Sequence, residues 1–336
     1  MSLTKSISGI RGTIGGGLVD NLNPIDIVKF AAAFIVLVKE EFKNKKISVV
    51  IGRDGRLSGP MISHLLVGTL ISMGVDVLDI GLAATPTVQM AVVEADAQAG
   101  IIISSSHNPA NWNALKMVDN SGIFISAAKG EKLLAIAEKG DFLFATAEKL
   151  GNYTQDASQT DKHIKKIISA PLVDIKAIRQ AKLKVAVDGI NSVGGVAIPS
   201  LLKALGIGRI EKLNCEPNGV FAHNPEPLPG NMVQIAKMVK EKKCDVGFMV
   251  DPDADRLAIV DERGEIWSEE YTLVSVADYV LKHKSGNTVS NLSSSRALKD
   301  ITERLGGKYF SAAVGEINVV EKMKAVNAVI GGEGNG

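Results

Sequence analysis

Cysteine is scarce, with two residues, Cys215 and Cys244, in a chain of 336. Two thiols cannot staple a chain of this size, and neither has the Cys and His neighbours of a zinc site. A reducing, cytoplasmic setting is therefore expected. Aromatic residues are only 4% of the chain, too few for a base-stacking surface. The net charge of +1 offers no global attraction for nucleic acid or an anionic membrane, although a local basic cluster is still able to hold phosphate. Long apolar runs are also missing. The most apolar early stretch, Phe30 to Val38, lies between Lys29 and Lys39 and falls far short of the ~20 residues that span a bilayer. No signal peptide or membrane anchor is visible.

Hydrophobic residues make up 46% of the chain and charged residues 22%, enough apolar surface to build real cores. At roughly 150 residues per domain the length suggests two or three domains. Short β-branched runs followed by helix-length amphipathic segments recur along the chain, the rhythm of parallel sheets covered by helices. In the first block, strands are expected at Lys46 to Ile51, Val75 to Ile80 and Gly100 to Ser104, with helices at Pro60 to Met73, Pro86 to Ala95 and Ala128 to Lys139. Gly151 to Thr160 is polar and turn-rich and reads as a linker. The second block opens with a strand at Leu183 to Val187, continues through a glycine-containing turn into a helix, and reaches a strand at Val246 to Val250. The third has a helix from about Glu269 to Lys284, shorter elements between Thr288 and Lys324, and a strand at Ala328 to Ile330. There is no fixed residue period, so this is no solenoid. The expectation is three consecutive α/β domains, 1–150, 151–260 and 261–336, with mixed, mostly parallel sheets covered by helices around a central cleft.

Each block sends one apolar strand into one chemically loaded loop, and in open α/β sheets ligands bind at the carboxyl ends of strands. Ile101 to Ile103 precede Ser104-Ser105-Ser106-His107-Asn108-Pro109, Val246 to Val250 precede Asp251-Pro252-Asp253-Ala254-Asp255-Arg256, and Val329-Ile330 precede Gly331-Gly332-Glu333-Gly334-Asn335-Gly336. The alternating carboxylates of Asp251, Asp253 and Asp255 suit a hard cation, with magnesium the natural choice. An EF-hand fits the spacing of these residues with Glu262 but fails on context. Arg256 stands where the sharp turn needs glycine, and a strand pattern precedes the loop. A solvated acidic turn is the plain alternative. The serine loop sets a hydroxyl beside a histidine at an Asn-Pro turn, without the Gly-x-Ser-x-Gly elbow of a hydrolase. A Ser/Thr turn is its plain alternative. Arg11, Arg53, Arg56 and Lys116 add basic groups near glycines, and arginine forks suit phosphate and carboxylate. For Arg53 a local ion pair with Asp54 competes with substrate contact. No phosphate loop of the Gly-x4-Gly-Lys-Ser/Thr type is present.

Taken in order, Ser106-His107-Asn108-Pro109 with Asn113 and Lys116, Asp251 to Arg256, and Gly332-Glu333-Gly334-Asn335 resemble the α-D-phosphohexomutases, the family of phosphoglucomutases, phosphomannomutases and phosphoglucosamine mutases. Ser8 to Gly12, Gly52 to Arg56, Thr85-Pro86 and Asn224-Pro225-Glu226-Pro227 add supporting matches. The resemblance implies a phosphoserine at Ser106, whose phosphate oxygen joins Asp251, Asp253 and Asp255 in holding magnesium, and a hexose 1,6-bisphosphate as activator and intermediate. It implies Lys116 as general acid/base, with a pKa that neighbouring arginines would lower, and Arg11 and Arg256 as stabilisers of phosphoryl charge. His107 would support the loop, while Glu333, Asn335 and Arg53 would contact the sugar phosphate. Ser104-Ser105 replaces a common Thr-Ala, Ala114 a frequent glycine and Asn335 a frequent serine. The glycine-rich ending looks most like phosphoglucosamine mutases and mixed gluco/mannomutases. The expected substrates are sugar monophosphates, with neither nucleic acid nor membrane as a partner. A non-catalytic sugar-phosphate or metal-binding relative, or an inactive fragment, is the competing reading. The family's fourth domain, which binds the non-transferring phosphate, finds no room in 336 residues, so a truncated enzyme with weak turnover is expected.

Overall fold

The computed structural model describes residues 3–6, 9–16, 21–43 and 45–334. The first sheet contains β1 (Thr4–Ser6), β2 (Gly9–Thr13), β3 (Ser48–Arg53), β4 (Asp76–Leu82), β5 (Ala99–Ile103), β6 (Trp112–Asp119) and β7 (Tyr153–Gln155), in the order β1-β2-β6-β5-β3-β4-β7. β5, β3, β4 and β7 run parallel, and β6 returns antiparallel between β5 and β2. Four helices cover it, α1 (Pro24–Glu41), α2 (Gly59–Ser72), α3 (Thr85–Glu94) and α4 (Ala127–Lys139). Strand periodicity decides which residues face which helices. Val49, Ile51, Ile101 and Ile103 pack toward α1, α2 and α4, while Val50 and Ile102 pack toward α3. That two-sided burial is why these strands read as unbroken apolar runs.

The Phe30 to Val38 run lies inside α1, against the sheet and between α2 and α4. Asn23 starts the helix by accepting from the Ile25 and Asp26 amides at 2.9 and 3.1 Å, with Pro24 in the first turn. Among the described residues no helix is long and apolar enough to cross a membrane.

The stretch read as a linker is corrected by β7. Tyr153 to Gln155 add a parallel strand to the edge of the first sheet, fixed by Asn152 on Asp76 and by the Tyr153 hydroxyl on Asp79 at 2.9 Å. A three-residue edge strand is too short to show periodicity against its polar flanks.

The second sheet follows α5 (Gln159–Ile168) and α6 (Ile175–Ala181). It is made of β8 (Lys184–Asp188), β9 (Arg209–Leu213), β10 (Val246–Val250) and β11 (Leu257–Asp261), in the order β11-β10-β8-β9 with only β11 antiparallel. α7 (Gly194–Ala204) and α6 cover one face and α8 (Val233–Lys242) the other. The third sheet is wholly parallel, β13-β12-β14, built from α9 (Glu270–His283), β12 (Asn287–Asn291), α10 (Ala297–Arg304), β13 (Tyr309–Ala312), α11 (Glu316–Ala325) and β14 (Ala328–Gly332). Its core is small, centred on Val274, Ala277 and Leu298.

The loops that follow β5 and β10 meet where Ser106 Oγ donates to Asp251 Oδ2. Across the first and second domains the Thr85 amide donates to the Asp253 carbonyl at 2.8 Å, and the Gly55 amide donates to Ser192 Oγ at 2.9 Å. Gln89 reaches Glu316 of the third domain at 3.2 Å, and the Tyr279 hydroxyl reaches the Leu172 carbonyl at 3.0 Å.

Candidate active site

β5 ends at Ile103 and the chain turns through Ser104 to Pro109 before returning as β6. Ser106 sits at the tip with φ of 49°, a left-handed conformation that is costly for serine and needs outside support. Support comes from beneath the loop. The Ser104 hydroxyl donates to Asp54 Oδ2 at 2.7 Å and accepts the Ser106 amide at 2.9 Å. Arg56, fully buried, pairs with the same carboxylate and donates to loop carbonyls. The sequence leaves three candidate hydroxyls in this loop. Among the described residues Ser104 is committed to Asp54, Ser105 Oγ is buried with no partner, and only Ser106 Oγ reaches the next domain.

There it donates to Asp251 Oδ2 at 2.6 Å. Asp251, Asp253 and Asp255 occupy the turn between β10 and β11, with Ala254 at φ of 53°, and offer oxygens that all lie within 4.8 Å of one another. The backbone turn gathers them, since Asp251 Oδ1 accepts the Asp255 and Arg256 amides at 3.1 Å each. Asp253 Oδ2 accepts from Lys116 Nζ at 2.7 Å and from the Thr85 hydroxyl at 2.5 Å, while its Oδ1 is buried with no partner among the described residues. Lys116 also pairs with Asp255 at 3.0 Å.

Electrostatics follow from this crowding. Burial and the neighbouring Asp255 and Asp253 push Asp251 well above the usual carboxylate range. Burial also raises Asp255, reinforced by Asp253. Burial works against the Asp253 anion, but Lys116 and Thr85 outweigh it and hold its pKa below normal. Lys116 is 6% exposed, so burial disfavours its charge, yet Asp253 and Asp255 raise its pKa above the ordinary lysine value. This reverses the expectation that nearby arginines lower it, because the closer charges are carboxylates supplied by another domain. Burial, then Arg256, pushes His107 down to about 4, so the imidazole is neutral at pH 7. Its Nδ1 lies 3.3 Å from Ser106 Oγ and its Nε2 lies 3.9 Å from Glu226. Glu226 in turn holds Arg256 at 3.0 Å. Arg11, on β2, lies in the field of Asp253, Arg256 and Asp255, and burial lowers its pKa.

This arrangement of three hard carboxylates, an unpaired buried oxygen and a hydroxyl on their rim fits a divalent cation. Family models described as phosphoglucomutase/phosphomannomutase alpha/beta/alpha domains I, II and III match residues 4–144, 161–264 and 268–336. A phosphoglucomutase/phosphomannomutase of Thermococcus kodakarensis is 33% identical over 332 residues, 98% of this chain and 70% of that protein. The chain belongs to the α-D-phosphohexomutase family of isomerases. A probable phosphoglucosamine mutase of Pyrococcus abyssi is 35% identical over 289 residues, 86% of this chain and 62% of that protein. The solved structure of a phosphoglucomutase/phosphomannomutase family protein from Burkholderia thailandensis, 27% identical, superposes with a TM-score of 0.83 over 99% of this chain and 72% of that one. Together the three models take in nearly all of the 336 residues.

Within this phosphohexomutase, Ser106, His107, Lys116, Arg11, Arg256 and the three aspartates gather in one cluster. Glu333 follows β14 in the third domain, with Oε1 accepting from Asn291 and from the Gly315 amide at 2.7 Å each. Asn335 lies outside the described residues. Arg53 donates to the Asp54 carbonyl at 3.2 Å, and it is Arg56, not Arg53, that makes the ion pair with Asp54. Sequence reasoning noted Thr85 and Glu226 without roles, although their matched motifs were the available signal. Ser192 and Glu316 were missed. Ser192 accepts from Gly55 and donates to the Pro252 carbonyl at 2.5 Å, clamping the aspartate loop. Glu316 opens α11 beside Gly315 in the field of Asp255, Lys116 and Glu333, and burial raises its pKa.

Proposed function

We propose that this chain interconverts hexose 6-phosphates and hexose 1-phosphates through a phosphoserine at Ser106 and a bisphosphate sugar. The observation that carries this reading is the 2.6 Å bond from Ser106 Oγ to Asp251, which sets a hydroxyl from one domain on a carboxylate triad from the next. Asp251, Asp253 and Asp255 would hold magnesium together with an oxygen of the Ser106 phosphate. Bound there, the ion would offset the charge of about −2 that a phosphoserine brings and polarise its phosphoryl group.

The remaining work falls to side chains. Arg11 and Arg256 add positive charge where phosphoryl oxygens gather, and Glu226 fixes the direction of Arg256. As the phosphoryl group passes to a sugar, the Ser106 Oγ–P bond breaks, a P–O bond to the sugar forms, and the sugar hydroxyl gives up its proton. Lys116 is the proposed carrier: its ammonium gives a proton to the departing Ser106 Oγ, and the proton released by the sugar hydroxyl restores the ammonium, with the same exchange run backwards in the reverse direction. Neutral His107 beside Ser106 suits support of the loop. Glu333 Oε2 has no hydrogen-bond partner among the described residues and is assigned to sugar hydroxyls. Asn335 and Arg53 complete the proposed sugar-phosphate contacts. The free thiols of Cys215 and Cys244 support a cytoplasmic location.

Incubation with a labelled hexose 1,6-bisphosphate, followed by peptide mapping, tests the reading. One phosphate on Ser106 that transfers on to glucose, mannose or glucosamine phosphate is the expected result, with Ser106→Ala inert. A Ser106→Ala variant that still transfers label would overturn it, and binding of sugar phosphate without any transfer would mark a non-catalytic binder.

A further inference from the structure

Arg56 lies beneath the serine loop with no atom exposed, and each of the five guanidinium N–H donors finds an oxygen. Nε donates to Asp54 Oδ2 at 3.0 Å. Nη2 donates to the carbonyls of Ser106 and Asn108 at 2.5 and 2.7 Å, and Nη1 to those of Pro109 and Trp112 at 2.5 and 3.0 Å. The Arg56 amide closes the unit on Asp54 Oδ1 at 2.9 Å. The Phe221 ring of the second domain lies 5.0 Å from the guanidinium carbon.

We infer that Arg56 is a positioning residue for phosphoryl transfer, holding Ser106 in its left-handed conformation and turning the loop's carbonyl dipoles inward, away from the nucleophile. This rests on the mutase reading above. Two physical consequences support it. Four carbonyl oxygens directed at one buried cation do not face a phosphoserine, whose anionic oxygens they would repel. The bond to the Ser106 carbonyl also offsets the backbone cost of φ at 49° on a β-substituted residue. Lysine supplies the charge but not the fork, since a single ammonium cannot reach four carbonyls spread over residues 106 to 112 as well as Asp54.

The experiment compares wild type, Arg56→Lys and Arg56→Ala in the rate of Ser106 phosphorylation by a hexose 1,6-bisphosphate, read by intact mass, alongside kcat and KM for the sugar monophosphate. Arg56→Lys keeps a cation beside Asp54 and is expected to stay folded. Its phosphorylation rate and kcat should fall by about two orders of magnitude, the scale of losing one aligned set of polar contacts at a reacting group, with KM changed less than about threefold. Added guanidinium should restore part of the rate in Arg56→Ala and none in Ser106→Ala. A purely structural role predicts lower thermal stability without that split and without rescue. Normal phosphorylation in folded Arg56→Lys, or a rise in KM at unchanged kcat, overturns the inference. Absence of phosphorylation in the wild type instead overturns the mutase reading itself.

Discussion

Lys116 Nζ lies 2.7 Å from Asp253 Oδ2 and 3.0 Å from Asp255 Oδ2, so a side chain on a strand of the first domain neutralises the carboxylates of the second. The lysine thus does in the protein's own chemistry part of what a divalent cation does for the same oxygens, and the two draw on one set of acceptors. Removing it leaves crowded anions in a buried turn.

Lys116→Met is therefore expected to destabilise the metal-free protein by about 3 kcal/mol, the order found when one partner of a buried ion pair is deleted. The loss should shrink as pH falls and the aspartates take up protons. Magnesium should raise the melting temperature of the variant more than that of the wild type, because the ion relieves a repulsion which Lys116 otherwise relieves. Thermal melts with and without magnesium, at pH 5 and pH 7.5, check each point. Turnover should be lost at every magnesium concentration, since the proposed proton carrier is gone.

Thr85 makes a two-point clasp on Asp253. Its amide takes the Asp253 carbonyl at 2.8 Å, and its hydroxyl takes Oδ2 at 2.5 Å, with the threonine 1% exposed. Thr85→Val keeps the amide bond and the shape but deletes the hydroxyl donor, leaving a buried carboxylate oxygen one partner short. A cost of about 1–2 kcal/mol follows, and Thr85→Ser should recover most of it. Urea denaturation resolves a difference of that size. Equal midpoints for valine and threonine would show that the hydroxyl contributes nothing net.

The readable parts of this protein were those where chemistry and local pattern coincide. Asp251, Asp253 and Asp255 alternate directly after a strand, and Ser106 sits in an ordered motif, so both the triad and its companion hydroxyl are legible in the sequence. The α/β rhythm was equally plain where β3 and β5 are buried on both faces. Partnerships across domains were not. Nothing near Lys116 in the chain shows that its counter-charges lie 137 and 139 residues away, and the visible arginines suggested a shift of the wrong sign. Arg53 and Arg56 are three positions apart with similar flanks, and only the path of the chain decides which one turns under the serine loop. β9, Arg-Ile-Glu-Lys-Leu, mixes three charged residues with two apolar ones on a sheet edge, and β7 has three residues, so neither produces an apolar run.

His223 gives the second domain a pH dependence of definite sign. Burial works against its cation, but the hydrogen bond to Asp188 at 2.9 Å and the bond to the Asn224 carbonyl raise its pKa above the ordinary 6.5. A histidine whose pKa is raised by folding stabilises fully below its unfolded value, and that contribution disappears as pH rises through the folded value. His107 and His163 are shifted the opposite way, chiefly by burial, and so weaken the fold on acidification. The difference between wild type and His223→Gln isolates the first effect from the other two. Denaturation midpoints taken from pH 5.5 to 9 should show the wild-type advantage at its largest near pH 5.5 and smaller at pH 9. An advantage that grows with pH would mean that Asp188 holds His223 as a neutral hydrogen-bond donor rather than as a cation.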